Sequence, residues 1–178
     1  MKNHKTSKKE IIKKSWDIFD RNSFFSLSMR EIANHLNIQK SLLYYYFSSK
    51  SELFREVILE NIENIYTQFD IIFNSRGSST QKIGKLAKLY LDKIQSKSIL
   101  KLRSVEENKI DDSILSALDN IEIKITNYFV ETFQKGIKKG EFKNTDPKNL
   151  SLALLGYLDK INIRKIKPTS DWLDFIFK

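Results

Sequence analysis

The residues best suited to acid, base or metal chemistry are two histidines and two acidic pairs. The histidines are His4 and His35, and the pairs are Glu106-Glu107 and Asp111-Asp112. Neighbouring residues on a helix point in different directions, so neither pair converges on one ion or substrate. The second pair is better interpreted as the N-cap and first-turn acids of a helix. His35 is interpreted as a half-exposed helix residue.

Enzyme motifs are missing from the sequence. The chain has no cysteine, which excludes disulfides and thiolate metal sites. No nucleophile elbow, phosphate-binding glycine loop or paired-histidine motif occurs. The sequence therefore predicts a protein that is not an enzyme and that holds no metal or cofactor.

The positive charge is concentrated near the N-terminus. The net charge of the chain is +9, and residues 1–55 hold eleven Lys or Arg against five acids, a net of +6. Such a charge attracts nucleic acid, because each neutralised phosphate releases a condensed counterion. The alternative is a solvated, lysine-rich surface with no polyanionic partner.

Three short helices are expected to present this charge. The first is predicted from about Ser7 to Asp20, the second from Ser28, and the third from about Gln39 to Phe47. Between the last two, Asn37 supplies a residue that tolerates the left-handed backbone of a tight turn. This order predicts a helix-turn-helix over about residues 28–47, whose later helix enters the major groove of DNA.

The outward positions of the third helix carry side chains that suit DNA. Gln39 and Lys40 can hydrogen-bond to base edges, and hydroxyl groups such as that of Ser28 can hold phosphates. Tyr44 and Tyr45 are predicted to face the groove, the alternative being an aromatic core cluster. Tyr46 and Phe47 are predicted to lie in that core.

The run from Ser28 to Phe54 resembles the DNA-binding signature of TetR-type regulators. The match rests on the Ile-Ala pair, Leu43-Tyr44, Tyr46-Phe47 and Lys50, and it covers about the first 60 residues. The resemblance implies that a set of side chains contacts DNA, with Arg30 able to read a base. The full predicted set is Ser28, Arg30, Gln39, Lys40, Ser41, Leu42, Tyr44, Tyr45 and Lys50.

Four positions depart from the family pattern. Asn37 and Asn22-Ser23 stand where glycine is common. Leu42 replaces a phosphate-binding threonine, so an apolar contact to a thymine methyl group is expected in its place. Tyr45 replaces a frequent histidine, so the base preference of relatives cannot be transferred.

The remaining chain is predicted to be helical throughout. The expected fold is all-α with about nine helices, a DNA-binding domain at residues 1–50 and an effector-binding and dimerisation domain at 51–178. The helices predicted for the second domain are Ser51–Phe73, Thr80–Gln95, Ser98–Asn108, Asp112–Lys139, Pro147–Lys165 and Thr169–Phe177.

The last two predicted helices carry more apolar residues than one helical face can bury. Such a surplus predicts a protein interface, and the resemblance implies a homodimer formed through these helices that binds a pseudo-palindromic operator. The alternative is a helix pair packed wholly into its own core. The predicted interface residues are Leu154, Tyr157, Leu158, Ile161, Trp172, Phe175 and Ile176.

Aromatic residues of the second domain could line a ligand cavity between helices, although each is individually interpretable as core. The resemblance implies a small, lipophilic effector that releases a repressor from double-stranded DNA. The predicted pocket residues are Tyr66, Phe69, Phe73, Tyr90, Leu102, Arg103, Tyr128, Phe129 and Phe133.

No apolar run reaches the roughly 18 residues of a membrane span, and the N-terminus lacks the apolar stretch of a signal peptide, so a cytoplasmic protein without membrane contact is expected.

The alternative function is a helical protein–protein adaptor that keeps the fold without specific DNA binding. Leu42 favours this alternative, whereas Lys40, Tyr44 and Lys50 oppose it.

Overall fold

The computed structural model describes residues 6–22, 26–93 and 112–164, and these residues form seven helices without a strand. The predicted all-α class is confirmed. The predicted helices at 98–108 and 169–177 lie outside the described residues, so the count of nine helices stays a prediction. The observed helices are α1 (Lys8–Arg21), α2 (Met29–His35), α3 (Lys40–Tyr46), α4 (Lys50–Asn74), α5 (Ser79–Lys93), α6 (Asp112–Lys138) and α7 (Pro147–Arg164).

The chain divides into two compact units. The first unit comprises the described residues up to Asn64, together with the start of α6 up to Ala117. The second unit comprises residues 65–93 and 118–164. Helix α4 therefore contributes residues to both units, whereas the predicted domain boundary lay at its first turn. None of the described helices combines the length and the apolar composition that crossing a membrane requires.

Side-chain caps start the first two helices where the sequence predicts them. The Ser7 Oγ accepts a hydrogen bond from the Glu10 amide at 3.2 Å. Ser28 and Glu31 form a complete capping box at the start of α2. The apolar faces of α1, α2, α3 and α4 then share one core, whose buried members are Ile11, Ile12, Phe19, Leu27, Met29, Ile32, Ala33, Leu43, Phe47, Leu53 and Val57.

The turn between α2 and α3 depends on Asn37. Its φ of +53° lies in the left-handed region, as the sequence predicts. The Asn37 amide donates to the Asn34 carbonyl at 3.1 Å, and the Ile38 amide donates to the Ala33 carbonyl at 3.0 Å. These two bonds satisfy the last carbonyls of α2 in the Schellman pattern, and α3 begins three residues after Asn37.

In the second unit, a glycine lets a loop pack tightly against a helix. Gly136 of α6 is buried beneath the ring of Phe142, and an added Cβ would overlap that ring and lie 2.9 Å from the Cβ of Ser79. Gly140, with a φ of +73°, ends α6 in a second Schellman turn. The loop that follows brings the Glu141 carboxylate to the Thr80 amide, which donates to it at 3.1 Å. Gly136 therefore permits the contact between the end of α6 and the start of α5.

We predict that Asn37→Gly raises the free energy of unfolding by about 0.5–1 kcal/mol, because glycine adopts a left-handed backbone without steric cost. Asn37→Val should lower it by more than about 1 kcal/mol. Asn34→Gly is the matched control. Asn34 lies within helical α2, where the same replacement should destabilise by a few tenths of a kcal/mol. Urea unfolding of the three variants measures whether each change raises or lowers the free energy of unfolding. Destabilisation by Asn37→Gly would contradict the account of the turn.

We predict that Gly136→Ala lowers the free energy of unfolding by about 1–3 kcal/mol, because the new methyl group overpacks the contact with Phe142. Gln134→Ala, at an exposed position of the same helix, should change it by less than about 0.5 kcal/mol. The double variant Gly136→Ala/Phe142→Leu should lose less stability than the sum of the single variants, since the smaller side chain relieves the overlap. If the stability losses of the two single variants, measured by urea unfolding, simply added in the double variant, the strain would not arise from the contact between residue 136 and Phe142.

Candidate nucleic-acid interface

Helix α3 has one buried face and one exposed face. Leu43 and Phe47 are fully buried, and Tyr46 is half-buried beside them. These apolar contacts fix the rotation of α3 about its axis. The opposite face of the helix is thereby directed to solvent.

The exposed face of α3 carries most of the side chains predicted to contact DNA. Gln39, Lys40 and Ser41 are exposed, and the side chains of Tyr44 and Tyr45 are 46% and 77% exposed. The Lys40 Nζ lies 5.3 Å from the centroid of the Tyr44 ring, a cation–π contact that holds both groups on this surface. We refer to these five residues as the reading face.

Leu42 and Tyr45, the two positions of α3 that depart from the family pattern, differ in how far they are buried. Leu42 is half-buried, so it presents a smaller apolar surface than a fully exposed leucine would. The Tyr45 ring packs edge-on against Tyr46, with the ring centroids 5.0 Å apart and the planes at 76°. The most exposed tyrosine is thus braced by one that belongs to the core.

The start of α2 presents Ser28 and Arg30, which are both exposed. The Ser28 hydroxyl and amide both donate to the Glu31 Oε2 at 2.7 Å, and these bonds lower the pKa of the Glu31 carboxyl. The charges of His35 and Lys50 act in the same direction. The stabilisation by this capping box is complete at neutral pH, and it is lost as the pH falls through the lowered pKa. The Ser28 hydroxyl proton is therefore already engaged in the cap.

Lys50 occupies a different environment from that of the reading face. Its side chain is half-buried at the start of α4, and its Nζ donates to the backbone carbonyl of Leu27 at 2.9 Å. The resemblance implied a contact with DNA. In this structure the ammonium group joins α4 to the segment that leads into α2.

Lys8 is a residue whose role the sequence reasoning missed. Its Nζ forms an ion pair with the Glu56 carboxylate at 2.7 Å and lies 5.2 Å from the centroid of the Phe47 ring. It thus connects α1 to α4 beside the end of α3. No local signal identifies this role, because the ion pair joins residues 48 positions apart.

An open groove of about 440 Å³ borders the turn between α2 and α3. Six of its eight lining residues are polar or charged, and they comprise basic, acidic and amide side chains from α1, α2 and the turn. The lining residues are Lys14, Asp17, Ile18, Arg21, Asn22, His35, Leu36 and Asn37. Among the described residues, no group of three or more His, Asp or Glu side chains is arranged to hold a metal ion.

The described pocket candidates of the second unit form a packed aromatic cluster. Phe69 stacks on Tyr128 with a centroid distance of 5.6 Å, and Phe73 meets the same ring edge-on at 5.6 Å. Tyr90 packs edge-on against Phe129 at 6.4 Å. Leu102 and Arg103 lie outside the described residues. The described candidates that are buried are Tyr66, Phe69, Tyr90, Tyr128, Phe129 and Phe133.

Polar and charged groups surround this aromatic cluster. The Tyr128 hydroxyl donates to the Asp70 carboxylate, and the Tyr90 hydroxyl donates to the Asp159 carboxylate at 2.7 Å. Ammonium groups cover two other rings: the Lys124 Nζ lies 3.8 Å from the Tyr66 centroid, and the Lys135 Nζ lies 3.7 Å from the Phe73 centroid. The cluster thus combines apolar area with a few polar and charged groups at its edge.

The predicted dimer residues of α7 separate into two classes. Leu154, Leu158 and Ile161 are buried within the chain's own core, whereas the side chain of Tyr157 is 41% exposed. The chain's own core thus encloses three of the predicted residues, and the dimer interface stays a prediction. Trp172, Phe175 and Ile176 lie outside the described residues.

Comparisons with known proteins agree with this geometry. Residues 11–57 match the model of the family described as bacterial regulatory proteins, tetR family. This segment contains α2, the turn, α3 and every buried residue of the shared core. The chain is also 26% identical over 159 residues to the uncharacterized HTH-type transcriptional regulator YfiR of Bacillus subtilis (strain 168), covering 82% of this chain and 73% of that protein.

Solved structures share the fold over nearly the whole chain. A putative transcriptional regulator from Saccharomonospora viridis, in complex with choline, has a TM-score of 0.74 at 17% identity, covering 95% of this chain and 90% of that one. The transcriptional regulator FadR from Bacillus subtilis, in complex with stearoyl-CoA, has a TM-score of 0.66 at 14% identity, covering 97% and 98%. At these identities the likeness shows the fold alone. Residues 11–57 match the family model, so the resemblance to TetR-type regulators predicted from the sequence is confirmed.

Proposed function

We propose that this protein is a TetR-type transcriptional repressor that binds a pseudo-palindromic operator and is released by a small lipophilic effector. The observation that carries the proposal is the reading face, which exposes two tyrosines and a lysine while the opposite face of α3 is buried. A helix of this kind, held after a tight turn, fits the major groove of DNA.

Within that groove the side chains take different tasks. Lys40 and Gln39, at the start of α3, reach base edges, since lysine pairs with guanine and glutamine with adenine. Arg30 of α2 reads a further base. The hydroxyl groups of Ser41, Tyr44 and Tyr45 donate to phosphates and set the position of the helix.

Helix α7 offers a surface for dimerisation that includes Tyr157 of the predicted set and adds Leu152. Leu152 and Tyr157 have side chains that are 62% and 41% exposed, and Ala153 and Gly156 lie exposed between them. Their spacing of three and four residues places them along one stripe of the helix. We infer that this stripe meets its symmetry mate, because exposed apolar area without a partner is costly in water.

The aromatic cluster of the second unit is the proposed effector site. Proteins that share this fold are seen in complex with choline and with stearoyl-CoA. Buried aromatic rings supply the apolar contact, and the tyrosine–aspartate pairs Tyr128–Asp70 and Tyr90–Asp159 supply polar anchors. An effector releases DNA only if it binds the state of low DNA affinity more tightly than the other state.

We predict that the full-length protein selects an inverted repeat from randomised duplexes, with half-sites about 10 base pairs apart. Binding should weaken steeply with salt, because each phosphate contact contributes about 0.9 to the slope of log K against log salt. Arg30→Ala and Lys40→Ala should relax base preference, whereas Lys148→Ala, at an exposed position of α7, should not. Absence of binding at about 50 mM salt would reject the proposal and favour a protein–protein adaptor.

We predict that Gly156→Glu converts a dimer into monomers, because it places a charge in the centre of the exposed stripe. A Cβ at Gly156 meets no atom within 4 Å in the single chain, so the substitution leaves the fold intact. Asn144→Glu, at an exposed loop position, is the control and should remain dimeric. Analytical ultracentrifugation with circular dichroism measures both properties, and a dimeric Gly156→Glu variant would place the interface elsewhere.

A further inference from the structure

The start of α4 is joined to the start of α2 by a hydrogen bond from a charged side chain. The Lys50 Nζ lies 2.9 Å from the carbonyl oxygen of Leu27, a residue 23 positions earlier in the chain. The Leu27 side chain is itself buried in the core of the first unit. A hydrogen bond from a charged ammonium group is stronger than one between neutral groups.

The carbonyl that accepts this bond immediately precedes the cap of α2. Ser28 follows Leu27 directly, and its amide and hydroxyl both donate to the Glu31 carboxylate. The Glu31 amide in turn donates to the Ser28 Oγ at 3.3 Å. A displacement of the Leu27 carbonyl would therefore displace the first turn of α2.

The first turn of α4 is itself firmly held, so it can act as an anchor. The Ser48 amide donates to the Glu52 Oε2 at 2.7 Å, and the Glu52 amide donates to the Ser49 Oγ at 3.1 Å. The Ser48 hydroxyl also donates to the Glu52 Oε2, and the two bonds from Ser48 lower the pKa of the Glu52 carboxyl, the hydroxyl contributing most. Leu53, one turn beyond Lys50, is fully buried.

We propose that Lys50 is a positioning residue for DNA reading, which holds the N-terminus of α2 in place instead of neutralising a phosphate. The proposal rests on the proposed function for its DNA readout. The side chain of Lys50 is half-buried and spans two elements, whereas Lys40 is exposed on the reading face. Lys50 thus fixes α2 and the turn at Asn37, from which α3 extends.

The two roles differ in a measurable way. A lysine that contacts a phosphate contributes about 0.9 to the slope of log K against log salt. A lysine that positions α2 changes the affinity through the geometry of the reading face, so its removal leaves that slope nearly unchanged. Removal of Lys50 should also loosen the first turn of α2 in the absence of DNA.

The experiment compares Lys50→Met, Lys50→Arg and Lys40→Met in the full-length protein. Without DNA, hydrogen exchange at the amides of residues 28–32 should accelerate roughly tenfold in Lys50→Met, the loss expected for one charged hydrogen bond. Exchange within α7 should not change. Lys50→Arg keeps a donor at this position and should restore most of the protection.

With operator DNA, Lys50→Met should weaken binding roughly tenfold. The slope of log K against log salt should fall by less than about 0.3, a third of the value for one phosphate contact. Lys40→Met removes a lysine assigned to base edges, so it should relax base preference. A decrease of about 0.9 in Lys50→Met would show a phosphate contact and overturn the positioning role. Unchanged exchange at residues 28–32 would also overturn it.

The hydrogen-exchange measurement and the DNA-binding measurement separate this proposal from the proposed function. If the wild-type protein binds no DNA, the proposed function fails. The exchange measurement then still decides whether Lys50 holds the start of α2.

Discussion

Between α2 and α3 the chain changes direction within three residues, and the left-handed backbone of Asn37 makes this possible. Two amide-to-carbonyl bonds close the end of α2, so α3 leaves the turn in one direction only. Leu43 and Phe47 then fix its rotation by burial. Every exposed side chain of the reading face takes its orientation from these two constraints, since a rotation of α3 would bury Lys40 or Tyr45 and expose the core.

Long-range polar bonds hold the remaining helices of the first unit around that turn. Lys8 links α1 to Glu56 of α4, and Lys50 links α4 to the carbonyl of Leu27. Exposed ion pairs contribute little to stability, but these two bonds join elements that are distant in sequence. Their main effect is therefore geometric, because they limit how the helices that bear the reading face move relative to one another.

The second unit combines dense packing with polar contacts to aromatic rings. Gly136 allows Phe142 to approach α6 closely, and the capped start of α5 packs against the same loop. The ammonium groups of Lys124 and Lys135 lie over the faces of two rings, where a cation is attracted by the ring quadrupole. A ligand that enters the aromatic cluster must replace such contacts, so its affinity depends on how well it reproduces them.

The sequence alone determined the features that depend on residues three or four positions apart. The caps at Ser7 and Ser28, the turn at Asn37 and the bounds of the described helices were predicted to within one or two residues, because hydrogen bonds along a helix and the preferences of single residues are local. Only the tertiary structure decided what depends on distant partners. Lys50 meets the Leu27 carbonyl. On α7, Leu154, Leu158 and Ile161 are buried in the chain's own core, whereas Leu152 and Tyr157 are exposed. A helical pattern shows that a residue is apolar, but burial depends on which other helix packs against it.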